Sequence, residues 1–227
     1  MEALRRASYL GVSVECLLSP PPGAPVDVTP VGITFDDGYQ DFRNASAIMA
    51  EAGFLGTVFL ITGRMGRDNG WDDARADRHM HLTWDEARAL RAAGFCLGSH
   101  TVTHPDLRRL SDEQVRWELG GSADQIEAHT GVRPVVLAYP YGRFDRRVVR
   151  IARDCGYRFG VRADSAGLNT PLTDPYLLHR MHVLDSDSAQ EVLRKARGGG
   201  WWRHPLTGLR RVACDVVGIL RSWLHVP

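Results

Sequence analysis

Short apolar runs alternate along this chain with longer stretches whose apolar residues recur every three or four positions. The runs "VGITF" (31–35), "GTVFLIT" (56–62), "CLGSH" (96–100), "PVVLAYP" (134–140), "YRFGVRA" (157–163) and "YLLHRMHV" (176–183) read as buried strands, each brief and bounded by turn formers. Helical spacing fills the gaps. Phe42, Ala45, Ile48, Met49 and Ala52 share a face in 41–53, and Gly53 stops that helix. A Thr83…Glu86 capping box opens a helix that closes at Gly94, and Ser111 with Gln114 opens a longer one that ends at Gly131. Residues 144–156 predict another. Residues 1–18 read as two short helices separated by a turn at Gly11, followed by a Pro-rich connector over 19–30.

Such regular alternation predicts an α/β fold with parallel strands. The units carry no Gly-rich nucleotide fingerprint, which favours a barrel, complete or distorted, over a dinucleotide-binding sheet. The tail differs. "GGGWWRHP" reads as a linker, and the residues after it place Leu, Val, Ile and Trp on one face and arginines on the other. This predicts a main domain over 1–197 and, over 198–227, a linker with a basic amphipathic helix, suited to packing, to oligomer contact or to a membrane surface.

Composition changes this picture little. With 227 residues and a formal charge of +1, the chain is expected to form one ordinary globular domain with no global pull toward nucleic acid. Cys16, Cys96, Cys155 and Cys214 lie far apart with no C-x-x-C pair, so reduced core thiols are expected rather than a thiolate metal site or a disulfide framework. No apolar run approaches the ~20 residues of a membrane span. Ser13 and Glu15 break the apolar stretch near the start, so no signal-peptide layout is seen and a cytoplasmic location is expected.

Candidate chemistry gathers at the strand ends, where parallel α/β folds bind ligands. "FDDG" follows the first strand, "SHTVTH" the third and "AYPYG" the fourth, and Arg180 and His182 lie on the last. His100 and His104 are four residues apart and, on one face of a helical turn, can grip one divalent ion. A pair of surface histidines is the plain alternative. A carboxylate from a neighbouring strand end would complete a three-ligand site with positions left for water and substrate. Asp36 and Asp37 would repel each other in one pocket unless a cation were shared. With one, either aspartate can ligate while the other accepts a proton from water. An N-cap and a turn aspartate before Gly38 would account for the pair equally simply.

Taken together and in this order, "TFDDG" (34–38), "SHTVTH" (99–104) and "YPYG" (139–142) resemble the polysaccharide deacetylases, the NodB-homology or carbohydrate esterase family 4 group, over roughly residues 30–195. The resemblance implies a distorted (β/α) barrel. It implies Asp36 as general base and Asp37, His100 and His104 as ligands of one divalent metal; zinc suits that donor set, and cobalt, nickel or iron also fit. It further implies hydrolysis of N-acetyl groups on an amino-sugar oligomer or polymer, with Pro140 and Tyr141 forming the turn whose Tyr141 N–H meets the oxyanion. An additional strand ahead of residue 1 is implied too, so the barrel is expected to be one strand short, with an exposed edge, or the start is misassigned.

Two departures stand out. The family's third motif has an Arg before the Pro-containing turn that holds the catalytic Asp; Ala138-Tyr139 stands here. The usual final Leu-x-His is replaced by "YLLHRMHV". Strand alternation puts Leu178, Arg180 and His182 on one face, so Arg180 is the expected substitute beside Asp36 and His182 a candidate acid for the departing amine. Tyr39, Tyr141, Trp71 and Trp84 are candidates for stacking on sugar rings, with packing the alternative for Trp84. The competing functions are an amide hydrolase on a small non-sugar substrate and an inactive carbohydrate-binding homologue.

Overall fold

The structure is a computed structural model that describes residues 1–25, 27–70, 78–163, 169–170 and 172–197, together with the main chain of 214–218. Six strands run parallel: β1 (Tyr9–Val12), β2 (Thr29–Phe35), β3 (Thr57–Leu60), β4 (Cys96–Ser99), β5 (Val136–Ala138) and β6 (Phe159–Val161). β1 and β3 pair with successive halves of β2. The other edge of β2 takes β8 (Cys214–Gly218) in antiparallel register, and β8 in turn pairs with β7 (Met181–Val183). Leu178, just ahead of β7, bridges to Val161 on β6. The sheet therefore curls round on itself as a distorted barrel.

Both faces of the sheet are covered, which is why its strands read as continuous apolar runs. On the outer face, Val31, Ile33, Phe35, Val58 and Leu60 pack under α3 (Phe42–Glu51) and α4 (Trp84–Ala92). Leu137 and Tyr139 pack under α5 (Asp112–Thr130) and α6 (Arg146–Asp154). The interior holds Phe59, Val136, Ala138, Phe159, Val161 and Leu178, with Val14 and Leu17 of the short helix α2 (Val14–Leu18) packed among them. Helix ends follow their sequence signals. Thr83, Ser111 and Ser188 each form a complete capping box, the last opening α7 (Ala189–Ala196), and Gly131 ends α5 in the left-handed conformation at φ 74°.

Two expectations change. Gly11 lies inside β1, which follows the helix α1 (Glu2–Arg6), and does not make a turn between helices. A Cβ there would stand 2.8 Å from Ile33 and 2.9 Å from Phe54, so the glycine serves the close approach of β1 to the outer core. The amphipathic helix expected in the tail falls largely outside the described residues, and the part that is described, 214–218, is strand. Its run Cys-Asp-Val-Val-Gly is rich in β-branched residues, and β2 offers it an open edge. Among the described residues, no helix is long and apolar enough to cross a membrane.

Candidate active site

The site is built at the carboxyl ends of the strands. Val31, Ile33 and Phe35 belong to the outer core, so alternation along β2 sends Thr34 and Asp36 to the interior. Arg180, wholly buried, meets them there. Its Nη1 and Nη2 donate to the two oxygens of Asp36 at 2.7 and 2.8 Å, Nη1 donates to Thr34 Oγ1 at 3.1 Å, and Nε donates to the Arg162 carbonyl at 2.6 Å. The guanidinium also lies over the Phe59 ring. Burial alone would raise the Asp36 carboxyl; the adjacent Arg180 outweighs it and brings the group down to about 2. Asp36 is thus an anion fixed at both oxygens at neutral pH.

Asp37 turns the other way. It sits at φ 66°, in the left-handed region, and its main-chain carbonyl accepts from Nδ1 of the buried His81 at 2.8 Å. His100 and His104 approach its side chain from the loop after β4. His100 Nε2 lies 3.4 Å and His104 Nε2 lies 3.6 Å from Asp37 Oδ1, and one ligand atom from each of the three residues falls within 4.8 Å of the others. These separations suit donors sharing one ion: ligands about 2.0–2.1 Å from a tetrahedral zinc stand ~3.3 Å apart. His100 Nδ1 donates to the Ala138 carbonyl at 2.8 Å, which leaves Nε2 as the lone-pair donor facing Asp37. Burial, with the neighbouring His100, lowers His104 to about 2, so its imidazole is neutral, as a ligand must be. The donor set therefore fits a divalent ion.

The two histidines do not share a helical turn, as their spacing suggested. Residues 100–106 form a loop in which Thr101 (φ 70°) and His104 (φ 64°) are both left-handed, and His104 N–H donates to Thr101 Oγ1 at 2.9 Å. Tyr141 (φ 57°) lies in the tight turn Pro140–Gly142 after β5, its half-exposed ring against His104 at 4.6 Å. Among the described residues, five non-glycine residues have positive φ, and four of them belong to this site: Asp37, Thr101, His104 and Tyr141. Backbone strain of this kind collects where function over-determines geometry.

The structure thus brings together Asp36, Asp37, His100, His104, Arg180, Pro140 and Tyr141. Tyr39 borders them, stacked on His81 at 4.7 Å. His182 lies two residues beyond Arg180, half-buried, opposite Asp215 in the ladder, with its carbonyl accepting from Lys195 Nζ. The cation that holds Asp36 is Arg180. Trp84 stacks on His129 at 4.2 Å between α4 and α5, a packing role. Trp71 lies outside the described residues. Sequence reasoning missed His81. It acts on a main-chain carbonyl, and the two histidines of "HMHLTW" stand at no spacing that signals a site.

Comparison with known proteins bears on this geometry. The sequence pattern of one family, polysaccharide deacetylase, matches residues 23–160. This chain belongs to the polysaccharide deacetylase family. A Bacillus subtilis relative, YxkH, named for the same activity, is 27% identical over 152 residues, covering 66% of this chain and 50% of that protein. A chitin deacetylase of Colletotrichum lindemuthianum is 27% identical over 111 residues, 49% of this chain and 41% of its own. The Streptococcus pyogenes deacetylase PplD, solved in complex with acetate, superposes with a TM-score of 0.70 at 25% identity, over 85% of this chain and 82% of that one. A polysaccharide deacetylase structure from Bacillus anthracis, BA0330, matches with a TM-score of 0.69 at 21% identity, over 85% and 58%, and shares the fold. The chain spans about half the length of the curated relatives it matches, between 43% and 57% for the first three. Within this member of the family, Tyr139 occupies the place before the Pro turn and is fully buried against Phe144, while the cation on Asp36 comes from Arg180.

Proposed function

We propose that this chain is a divalent-metal-dependent hydrolase that removes N-acetyl groups from amino-sugar units of an oligosaccharide or polysaccharide. The observation that carries the reading is the convergence of Asp37, His100 and His104 beside a second carboxylate held by Arg180. Zinc suits this donor set, and cobalt, nickel or iron would be accepted by the same atoms. Such an ion, when bound, lowers the pKa of water and polarises a carbonyl.

The residues then divide the remaining work. Asp36 Oδ2 lies 4.0 Å from His100 Nε2, so it borders the ligand set without joining it. Arg180 uses two of roughly four acceptor positions of this carboxylate, leaving the others to take a proton from water. Tyr141 is the candidate for a main-chain donor to the oxyanion, since its turn lies against His104. His182, in β7 two residues beyond Arg180, is the candidate to protonate the leaving amine. The acetate complex of the Streptococcus pyogenes relative and the chitin deacetylase among the relatives support N-acetyl hydrolysis on a sugar.

Substrate class is tested by acetate release from a tetramer of N-acetylglucosamine beside a simple N-acetyl aryl amide. Turnover of the sugar well above that of the simple amide is expected. Turnover of the aryl amide with none of the sugar would replace this reading with a small-amide hydrolase.

A further inference from the structure

We propose that Glu118 on α5 is a positioning residue that shapes the loop carrying His100 and His104 into its ligand geometry. The inference rests on the metal-site reading above. Glu118 is only 4% exposed, in the middle of a 19-residue helix. Its Oε2 accepts from the main-chain N–H groups of Val102 at 2.8 Å and Thr103 at 2.9 Å, and its Oε1 accepts from the Thr103 hydroxyl. Among the described residues, no Lys or Arg forms an ion pair with it. Three neutral donors from one loop therefore satisfy a buried carboxylate, an arrangement that is hard to sustain unless every bond is made.

The residues it grips are the two between Thr101 and His104. Those flanking residues are both left-handed, a conformation that L-residues adopt only at a cost. Something must hold the loop there. The Thr101 hydroxyl accepts from His104 N–H within the loop, and Ser99 Oγ accepts from Thr101 N–H at 3.2 Å. Thr62 N–H and Gly63 N–H donate to the Thr101 and Val102 carbonyls at 3.1 and 2.9 Å, and Glu118 ties the N–H groups of Val102 and Thr103 to α5. A carboxylate fits this task because it accepts two converging N–H groups on one oxygen and a hydroxyl on the other. With those bonds gone, the loop can relax toward ordinary φ values, and His104 would swing away from Asp37 and His100.

The test uses the full chain and zinc affinity by chelator competition, with the visible spectrum of the Co²⁺-loaded protein as a readout of ligand geometry. Glu118→Ala is expected to weaken zinc binding about 10–100-fold, as loss of outer contacts to metal ligands does, and to alter the Co²⁺ spectrum. Glu118→Gln should stay within about threefold of wild type, because its oxygen still accepts both N–H groups and its amide can donate to Thr103 Oγ1. Tyr157→Phe is the stability control. It removes the buried bond from Tyr157 O–H to the Leu119 carbonyl, one residue along the same helix, and should lower the melting temperature with zinc affinity unchanged. Where Glu118→Ala fails to fold, Glu118→Asp, one methylene too short, and Thr103→Val at an exposed position replace it, with the same sign expected. A folded Glu118→Ala or Glu118→Asp chain that binds zinc like wild type overturns the proposal. So does a Tyr157→Phe chain that loses as much affinity. A wild-type chain that binds no divalent ion overturns the metal reading itself, and this inference with it.

Discussion

Asp37→Asn is expected to leave a folded chain that binds divalent metal at least about 100-fold more weakly and releases no measurable acetate. The side chain keeps its size and loses only its charge. Asparagine is chosen because Asp37 sits at φ 66°, a conformation that Asn tolerates and Ala does not. The anchoring bond from His81 goes to the main-chain carbonyl and survives the change. Outer contacts to ligands are typically worth 10–100-fold in metal affinity, so removing a ligand should exceed that range. Circular dichroism and a melting curve close to wild type would show that the fold is intact. Zinc titration then supplies the result. Unchanged affinity in Asp37→Asn would remove Asp37 from the metal site.

The second large effect is expected at Arg180. Arg180→Met keeps most of the buried volume and strips the cation from Asp36. Breaking a buried ion pair on one side typically costs about 3–5 kcal/mol, because the remaining charge is left without its partner. For a chain of this size that corresponds to roughly 6–20 °C in melting temperature. Acetate release should fall as well, since Asp36 loses the two bonds that orient it. The sign of the pH effect follows from the direction of the shift. Asp36 is held below its ordinary 3.8, at about 2, so the pair contributes its full stabilisation above about pH 4 and loses it as pH falls toward 2. The stability gap between wild type and Arg180→Met should therefore be widest near neutral pH and should narrow in acid. Replacing both partners, as in Asp36→Asn with Arg180→Met, should recover part of the stability and none of the activity. A single variant as stable and active as wild type would show that Arg180 does not hold the base.

Much of this was legible because the signals are local. The strands are short buried runs, the capping boxes at Thr83 and Ser111 are four-residue patterns, and Gly131 marks a stop that only a left-handed residue makes easily. Arg180 was legible from alternation over 176–183 taken together with the Arg that the resembled family carries before its Pro turn and that Ala138-Tyr139 lacks. What escaped depends on partners far apart in sequence. Gly11 reads as a turn until Ile33 and Phe54 are known to press on it. Residues 214–218 read as part of an amphipathic helix, yet the edge of β2 pairs with them as a strand. His100 and His104 converge, but through two left-handed residues and not through a helical turn. His81 and Glu118 act on main-chain groups 44 and 15–16 residues away, a relation that no motif encodes.

The central claim is that Asp37, His100 and His104 hold a divalent ion without which the amide is not cleaved. It is tested most directly by acetate release from an N-acetylglucosamine oligomer before chelation, after chelation and after zinc is returned. Activity that disappears with the chelator, returns with zinc in the wild type and does not return in Asp37→Asn is the expected result. Acetate release that continues undiminished in metal-free protein would contradict the account.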